Sequence, residues 1–189
     1  AHQHNFTMSV RQQLLDNFRH DRVSTIERAQ LQLMHGQVMA SVKDLDSALE
    51  AYEQALQTPD SFIRAQACYG IAKVYESRDT LLSLRYYEKS REFLALCSGE
   101  NADKLQVWLW IEEAWIYINQ QSNFEKAKAN LQSAETHLQP HWHQLYIDLH
   151  NAWGEFHIQQ NDITQCLESR WLVWFKANEI HDTQRMIKM

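Results

Sequence analysis

The chain has 189 residues and a formal net charge of −6, with 18 basic against 24 acidic side chains and no basic cluster. This balance argues against nucleic-acid binding, which needs a concentrated positive surface. No apolar run approaches the roughly 20 residues of a membrane-spanning helix. Only four glycines and two prolines interrupt the chain, which favours an all-α fold.

The three cysteines, Cys68, Cys97 and Cys166, are odd in number and lie far apart. Their spacing predicts neither a disulfide framework nor a zinc site. Unpaired thiols and the absence of a recognisable signal peptide are typical of a cytoplasmic protein, and we expect that localisation.

Helical periodicity recurs along the chain, beginning with a short amphipathic helix over residues 7–20. Ser24 and Glu27 fit a capping box at the start of the next helix, and Pro59, Gly99 and Pro140 mark turns. The later helices are predicted at residues 25–42, 45–57, 61–77, 80–97, 103–120, 123–138, 142–160 and 163–179.

A further helix is expected to begin near His181. The chain reaches Met189 before that helix could be completed, so we expect a piece of a longer protein.

Small residues recur at comparable positions in the first helix of successive pairs. Gly36 and Gly70 are 34 residues apart, and Ala114 and Gly154 follow in similar surroundings. Glycine inside a helix costs about 1 kcal/mol relative to alanine, so a packing reason is expected. A small residue allows the second helix of a pair to approach closely. Two helices per 34–45 residues is typical of a helical solenoid.

These positions resemble the tetratricopeptide repeat family, whose loose pattern is an aromatic residue, Leu-Gly, Tyr, Ala, Phe, Ala and a closing proline. The matching residues are Gly36, Ala48, Tyr52, Ala55 and Pro59 in the first unit, Gly70 and Tyr86 in the second, Trp110, Ala114, Tyr117, Ala127, Leu131 and Ala134 in the third, and His150, Trp153, Gly154, His157 and Cys166 in the fourth. The resemblance covers roughly residues 22–178, and the longer later spacings are similar to repeats of bacterial signalling and regulatory proteins.

The resemblance implies a right-handed superhelical solenoid of antiparallel helix pairs. The expected organisation is an N-terminal helix over 1–21, about four helical hairpins over 22–180, and the start of a further helix over 181–189. In such a stack the first helix of each pair lines the concave face.

Counting from the small residue, the family's concave-face positions give the candidate binding residues. The predicted peptide-binding residues are Arg64, Ile71, Tyr75, Trp108, Ile111, Trp115, Ile118 and Asn119. In the fourth unit the same count gives Asp148, Asn151, Glu155, Ile158 and Gln159. Only Arg64 and Asn119 suit the family's clamp for a C-terminal carboxylate. The other six form an apolar, aromatic strip that is expected either to hold a peptide or to be buried as core.

Ten histidines raise the question of a metal site, but no cofactor or metal is expected. His143, His150 and His157 share a helix face at seven-residue spacing, which separates neighbours by about 10 Å at 1.5 Å rise per residue. That distance is too long for one zinc ion. No phosphate loop, nucleophile elbow or HExxH motif is present, so the chain is not expected to be an enzyme.

The leading hypothesis is therefore a non-catalytic module that binds a protein or peptide in its concave groove, as the interaction or sensor part of a larger regulatory protein. Two alternatives remain: a domain that senses a small effector, or a structural scaffold that self-associates into a homo-oligomer.

Overall fold

The computed structural model describes residues 24–187, with side chains described through Ile180. Eight helices account for the regular structure of this range: α1 (Thr25–Ser41), α2 (Leu45–Ala55), α3 (Ser61–Tyr75), α4 (Thr80–Leu94), α5 (Glu100–Asn119), α6 (Phe124–His137), α7 (His143–Gln159) and α8 (Ile163–Ile187). The all-α prediction is confirmed for the described residues. The helix predicted over 7–20 lies outside them.

Polar side chains cap most of these helices, which explains where they begin. The predicted capping box is present, because the Ser24 hydroxyl accepts from the Glu27 amide at 3.2 Å and a Glu27 carboxylate oxygen accepts from the Ser24 amide at 2.9 Å. Five more helices begin with a side chain that accepts from a first-turn amide: Asp44, Asp60, Asp79, Asn123 and Asp162. Each such cap satisfies an amide that has no partner within the helix.

Short turns join the helices into pairs, and three of the four turns share one backbone feature. Lys43, Ser122 and Asn161 have φ values of 63°, 49° and 59°, in the left-handed region that reverses a chain tightly after a helix. They stand between α1 and α2, α5 and α6, and α7 and α8.

The chain divides into two compact units at Ser98 and Gly99. In the first unit α1 packs on α2 and α3, α2 packs on α3, and α3 packs on α4. The second unit repeats this order, because α5 packs on α6 and α7, α6 on α7, and α7 on α8. Each unit therefore consists of two stacked helix pairs, as a helical repeat predicts.

The glycines of the first unit have the packing role that their spacing predicts. A Cβ atom on Gly36 of α1 would lie 2.5 Å from Tyr52 Cε1, and one on Gly70 of α3 would lie 2.5 Å from Tyr52 Cζ. The Tyr52 ring of α2 is thus held between the backbones of α1 and α3. Burial raises the pKa of the Tyr52 hydroxyl to about 12.

Each unit has its own hydrophobic core. In the first unit the buried cluster is Ala29, Leu33, Met39, Ala48, Tyr52, Ala55, Ile63, Ala67, Ile71 and Val74. In the second unit it is Val107, Ile111, Ala114, Ile118, Ala127, Leu131, Ala134, Trp142, Leu145, Leu149, Ala152 and Phe156.

Three predicted helix boundaries differ from the observed ones by three or more residues. Helix α4 ends at Leu94 rather than near residue 97. Helix α5 begins at Glu100 rather than near residue 103, directly after Gly99, whose φ of 105° ends the preceding turn. Helix α8 runs through to Ile187, so no new helix begins near His181. No glycine or proline lies between Ile163 and Ile187 to interrupt it. Within the described range, none of the helices has the length and hydropathy needed to cross a lipid bilayer.

Candidate functional site

Three predicted binding residues, Arg64, Ile71 and Tyr75, lie in the first compact unit and make internal contacts. The Arg64 guanidinium lies over the Phe93 ring, 3.9 Å from its centroid. Ile71 is fully buried in the core. The Tyr75 ring stacks on Tyr86, with centroids 6.1 Å apart and planes 8° apart. For Ile71 the core interpretation of the aromatic strip therefore holds.

In the second compact unit, some of the predicted binding residues are buried and others are accessible to solvent. Ile111 and Ile118 are each only 2% exposed and belong to the core. Trp108 is 36% exposed, and Trp115 is half-buried against the core. The Asn119 side chain is exposed, and its amide donates to the Trp115 carbonyl oxygen at 3.1 Å.

A cavity of about 230 Å³ opens between α5 and α7 in the second unit, and we call it the α5–α7 groove. Its lining residues are Trp108, Ile111, Glu112, Trp115, Asp148 and Asn151. Three of them are predicted binding residues, and Asp148 and Asn151 occupy concave-face positions of the same count. Glu112 is the lining residue that the count did not include.

Hydrogen bonds orient the polar and aromatic walls of this groove. The Trp108 indole N–H donates to Glu112 Oε1 at 2.8 Å, one turn along the same helix. On the opposite wall the Gln144 amide donates to Asp148 Oδ1 at 3.0 Å. Arg170 of α8 donates to Asn151 Oδ1 at 3.1 Å.

Two of the residues that line the groove, Glu112 and Asp148, carry carboxylates. Helix α5 contains Glu100, Asp103, Glu112 and Glu113 against a single lysine, and α7 contains two carboxylates and neither lysine nor arginine. Burial raises the pKa of Asp148 above its ordinary value, the Glu112 carboxylate raises it further, and the Gln144 hydrogen bond opposes both effects. The charges of Glu112 and Asp148 therefore repel each other across the groove.

The three histidines of the seven-residue spacing lie on α7, and two of them pack among aromatic rings. His150 is 4.3 Å from Tyr146 between ring centroids, and burial lowers the pKa of its imidazole. His157 stacks on Trp153 at 5.6 Å. The described part of the chain contains no group of three or more His, Cys, Asp or Glu residues suited to a metal ion.

Sequence reasoning missed an exposed apolar face on α8, which we call the α8 stripe. Its members are Ile163, Leu167, Trp171, Trp174 and Phe175, and each is at least 53% exposed. The last three form an aromatic cluster with ring centroids 5.1–5.4 Å apart. The signal was present, because spacings of three and four residues place these side chains on one helix face.

Comparison with known proteins supplies no relative from which a function could be transferred: no family model and no curated protein matches the chain.

Proposed function

We propose that this chain is a non-catalytic peptide-binding module in which each unit is a stack of two tetratricopeptide-like helix pairs. The binding site is the α5–α7 groove. The observation that carries this proposal is the convergence of Trp108, Trp115 and two carboxylates on one cavity.

Tryptophan favours this interpretation because it contributes strongly to binding energy at protein interfaces. Trp108 is accessible to a partner, while its hydrogen bond to Glu112 fixes the orientation of the indole. A side chain that is ordered before binding loses little conformational entropy when a partner docks.

The size of the groove favours a peptide over a small effector. About 230 Å³ is below the roughly 300–1,000 Å³ of typical small-molecule pockets. A cavity of this size suits one side chain of a longer partner whose backbone runs along the adjoining helices.

The test is peptide selection against the full chain followed by affinity measurement. A random decapeptide library is panned on the wild type, and the Kd of each selected peptide is measured by fluorescence anisotropy for the wild type and Trp108→Ala. We expect the substitution to weaken binding about tenfold or more, which corresponds to at least about 1.4 kcal/mol.

Leu81→Ala is the control, since Leu81 is 66% exposed and lies on α4, outside both the groove lining and the α8 stripe. This variant is expected to bind the selected peptides as the wild type does, and circular dichroism checks that both variants remain helical. Equal affinity of Trp108→Ala and the wild type for every selected peptide would contradict the proposal.

A second candidate function, self-association as a scaffold, is favoured by the α8 stripe. In both units the second helix of the first pair is covered by the next pair: α2 by α3 and α6 by α7. Helices α4 and α8 are the second helices of the later pairs, and within its unit each packs on the first helix of its own pair alone. Helix α8 differs in carrying the exposed aromatic cluster of the stripe. A second copy of the chain, which carries the same stripe, could supply the missing cover.

A further inference from the structure

The charge of the α5–α7 groove identifies the kind of peptide it would accept. We propose that the groove holds an arginine or lysine side chain of a basic peptide, between the carboxylates of Glu112 and Asp148 and beside the indoles of Trp108 and Trp115. This inference rests on the proposed peptide-binding function and specifies its ligand.

The two carboxylates provide the first reason. Glu112 on α5 and Asp148 on α7 both line the groove, and the charge of the first raises the pKa of the second. Two like charges that interact at a half-buried site are unfavourable, and a cation placed between them replaces repulsion with two attractions. A guanidinium group has five N–H donors, enough to hydrogen-bond more than one carboxylate.

The positions of the basic side chains provide the second reason. Helix α7 has no lysine or arginine. On α5, Lys104 is paired with Glu100 at 2.8 Å. Arg170 donates to Asn151 at the edge of the groove. The described lining residues of the groove include two carboxylates and neither lysine nor arginine, so a cationic ligand complements them.

The two tryptophans provide the third reason, since an indole attracts a cation through its negative π face. The same chain already contains such a pair in its first unit, where the Arg64 guanidinium lies 3.9 Å from the centroid of Phe93. Arginine combines this stacking with bidentate hydrogen bonds to carboxylates, so the lining chemistry favours arginine over lysine.

The experiment uses the full chain and the random decapeptide library described above. Among selected peptides that bind more weakly to Trp108→Ala, we expect enrichment of arginine and lysine. We further expect Asp148→Asn and Glu112→Gln each to weaken these peptides about tenfold. Both replacements keep an oxygen acceptor, so the Gln144 and Trp108 hydrogen bonds can persist while the charge is lost.

Two controls separate groove binding from general attraction to an acidic protein. Asp103→Asn removes the same charge from an exposed position on α5 outside the groove lining, and it is expected to leave the affinity unchanged. A peptide with citrulline in place of arginine keeps nearly the same shape without the charge, and it is expected to lose binding to the wild type.

The outcomes distinguish this inference from the proposed function. If Trp108-dependent peptides are selected but contain no enriched basic residue, or bind Asp148→Asn as tightly as the wild type, the groove binds peptides of another chemistry and this inference is wrong. If no selected peptide depends on Trp108, the peptide-binding function itself is contradicted. Equal loss with Asp103→Asn and Asp148→Asn would indicate non-specific attraction and would also overturn the inference.

Discussion

Tyr52 shows how one side chain can explain two unfavourable glycines. Its ring is buried between the backbones of Gly36 and Gly70, so it cannot move away from one without approaching the other. The helix propensity lost at each glycine is offset by the close approach of α1 and α3 to α2. A methyl group at either glycine would force the ring or a helix to shift.

We therefore predict that Gly36→Ala and Gly70→Ala each destabilise the chain. Alanine gains about 1 kcal/mol of helix propensity, while overpacking costs about 1–3 kcal/mol. The 2.5 Å approach to a rigid buried ring places the cost at the upper end, for a net loss of about 1–2 kcal/mol. Urea denaturation followed by circular dichroism measures this loss as a lower midpoint.

Gly154→Ala is the matched comparison, because its Cβ would meet Arg170 Nε at 3.3 Å. The exposed arginine can move, so this variant is expected to be as stable as the wild type or more stable by up to about 1 kcal/mol. Equal effects at all three glycines would mean that the Tyr52 contact does not decide their role.

Asp148 provides a second prediction for a single residue. Its raised pKa determines whether its ionisation stabilises or destabilises the folded chain. Its ordinary pKa is 3.8, and a higher value in the folded chain means that the folded state binds the proton more readily than the unfolded state. The resulting stabilisation is fully present below pH 3.8 and is lost as the pH rises through the folded-state pKa. At neutral pH the ionised carboxylate therefore disfavours folding.

We predict that Asp148→Asn has a melting temperature at pH 7 equal to or above that of the wild type, with no such advantage below pH 3.8. Thermal melts at the two pH values measure this difference. The same variant is expected to bind basic peptides more weakly, so stability and binding should change in opposite directions. A lower melting temperature at pH 7 would show that Asp148 stabilises the fold rather than serving the groove.

At the scale of single helices, contacts at the helix ends fix how neighbours meet. Glu100, the first residue of α5, accepts hydrogen bonds from Lys104 at 2.8 Å and from the Trp142 indole at 2.9 Å, and it contacts His141 Nε2 at 3.1 Å. These contacts hold the pKa of Glu100 at about 2. They connect the start of α5 to the turn that precedes α7. Helices α5 and α7 are the two walls of the groove.

The helices themselves were largely predictable, because their apolar periodicity, caps and turn residues are local. The groove was predictable only in part. The count from Ala114 and Gly154 gave ten positions, five of them line the groove, and three of those five were predicted binding residues. The buried positions of Ile71, Ile111 and Ile118 were not predictable, because the concave-face count does not say which side chains turn towards the neighbouring helix.

The end of α8 and the exposure of its stripe were also beyond the sequence pattern. Apolar spacing identifies the face of a helix that avoids water, but it does not say whether another helix covers that face. The division at Ser98 and Gly99 was visible only as a loop, because a turn between repeats and a boundary between units use the same residues.

At the scale of the whole molecule, the α8 stripe is the surface through which we propose that two copies of the chain associate. Exposed apolar surface of this kind is typical of interaction sites, and Trp171, Trp174 and Phe175 are more than half exposed. Two copies that join through the same face form a closed, two-fold interface.

We predict that the chain forms dimers at micromolar concentration and that Trp171→Ser/Trp174→Ser is monomeric. Sedimentation velocity over a hundredfold concentration range measures the change. Leu81→Ser is the control, because Leu81 of α4 is 66% exposed and lies outside the stripe, so this variant is expected to dimerise as the wild type does. A wild type that remains monomeric throughout would contradict self-association and leave the α8 stripe to a partner other than a second copy.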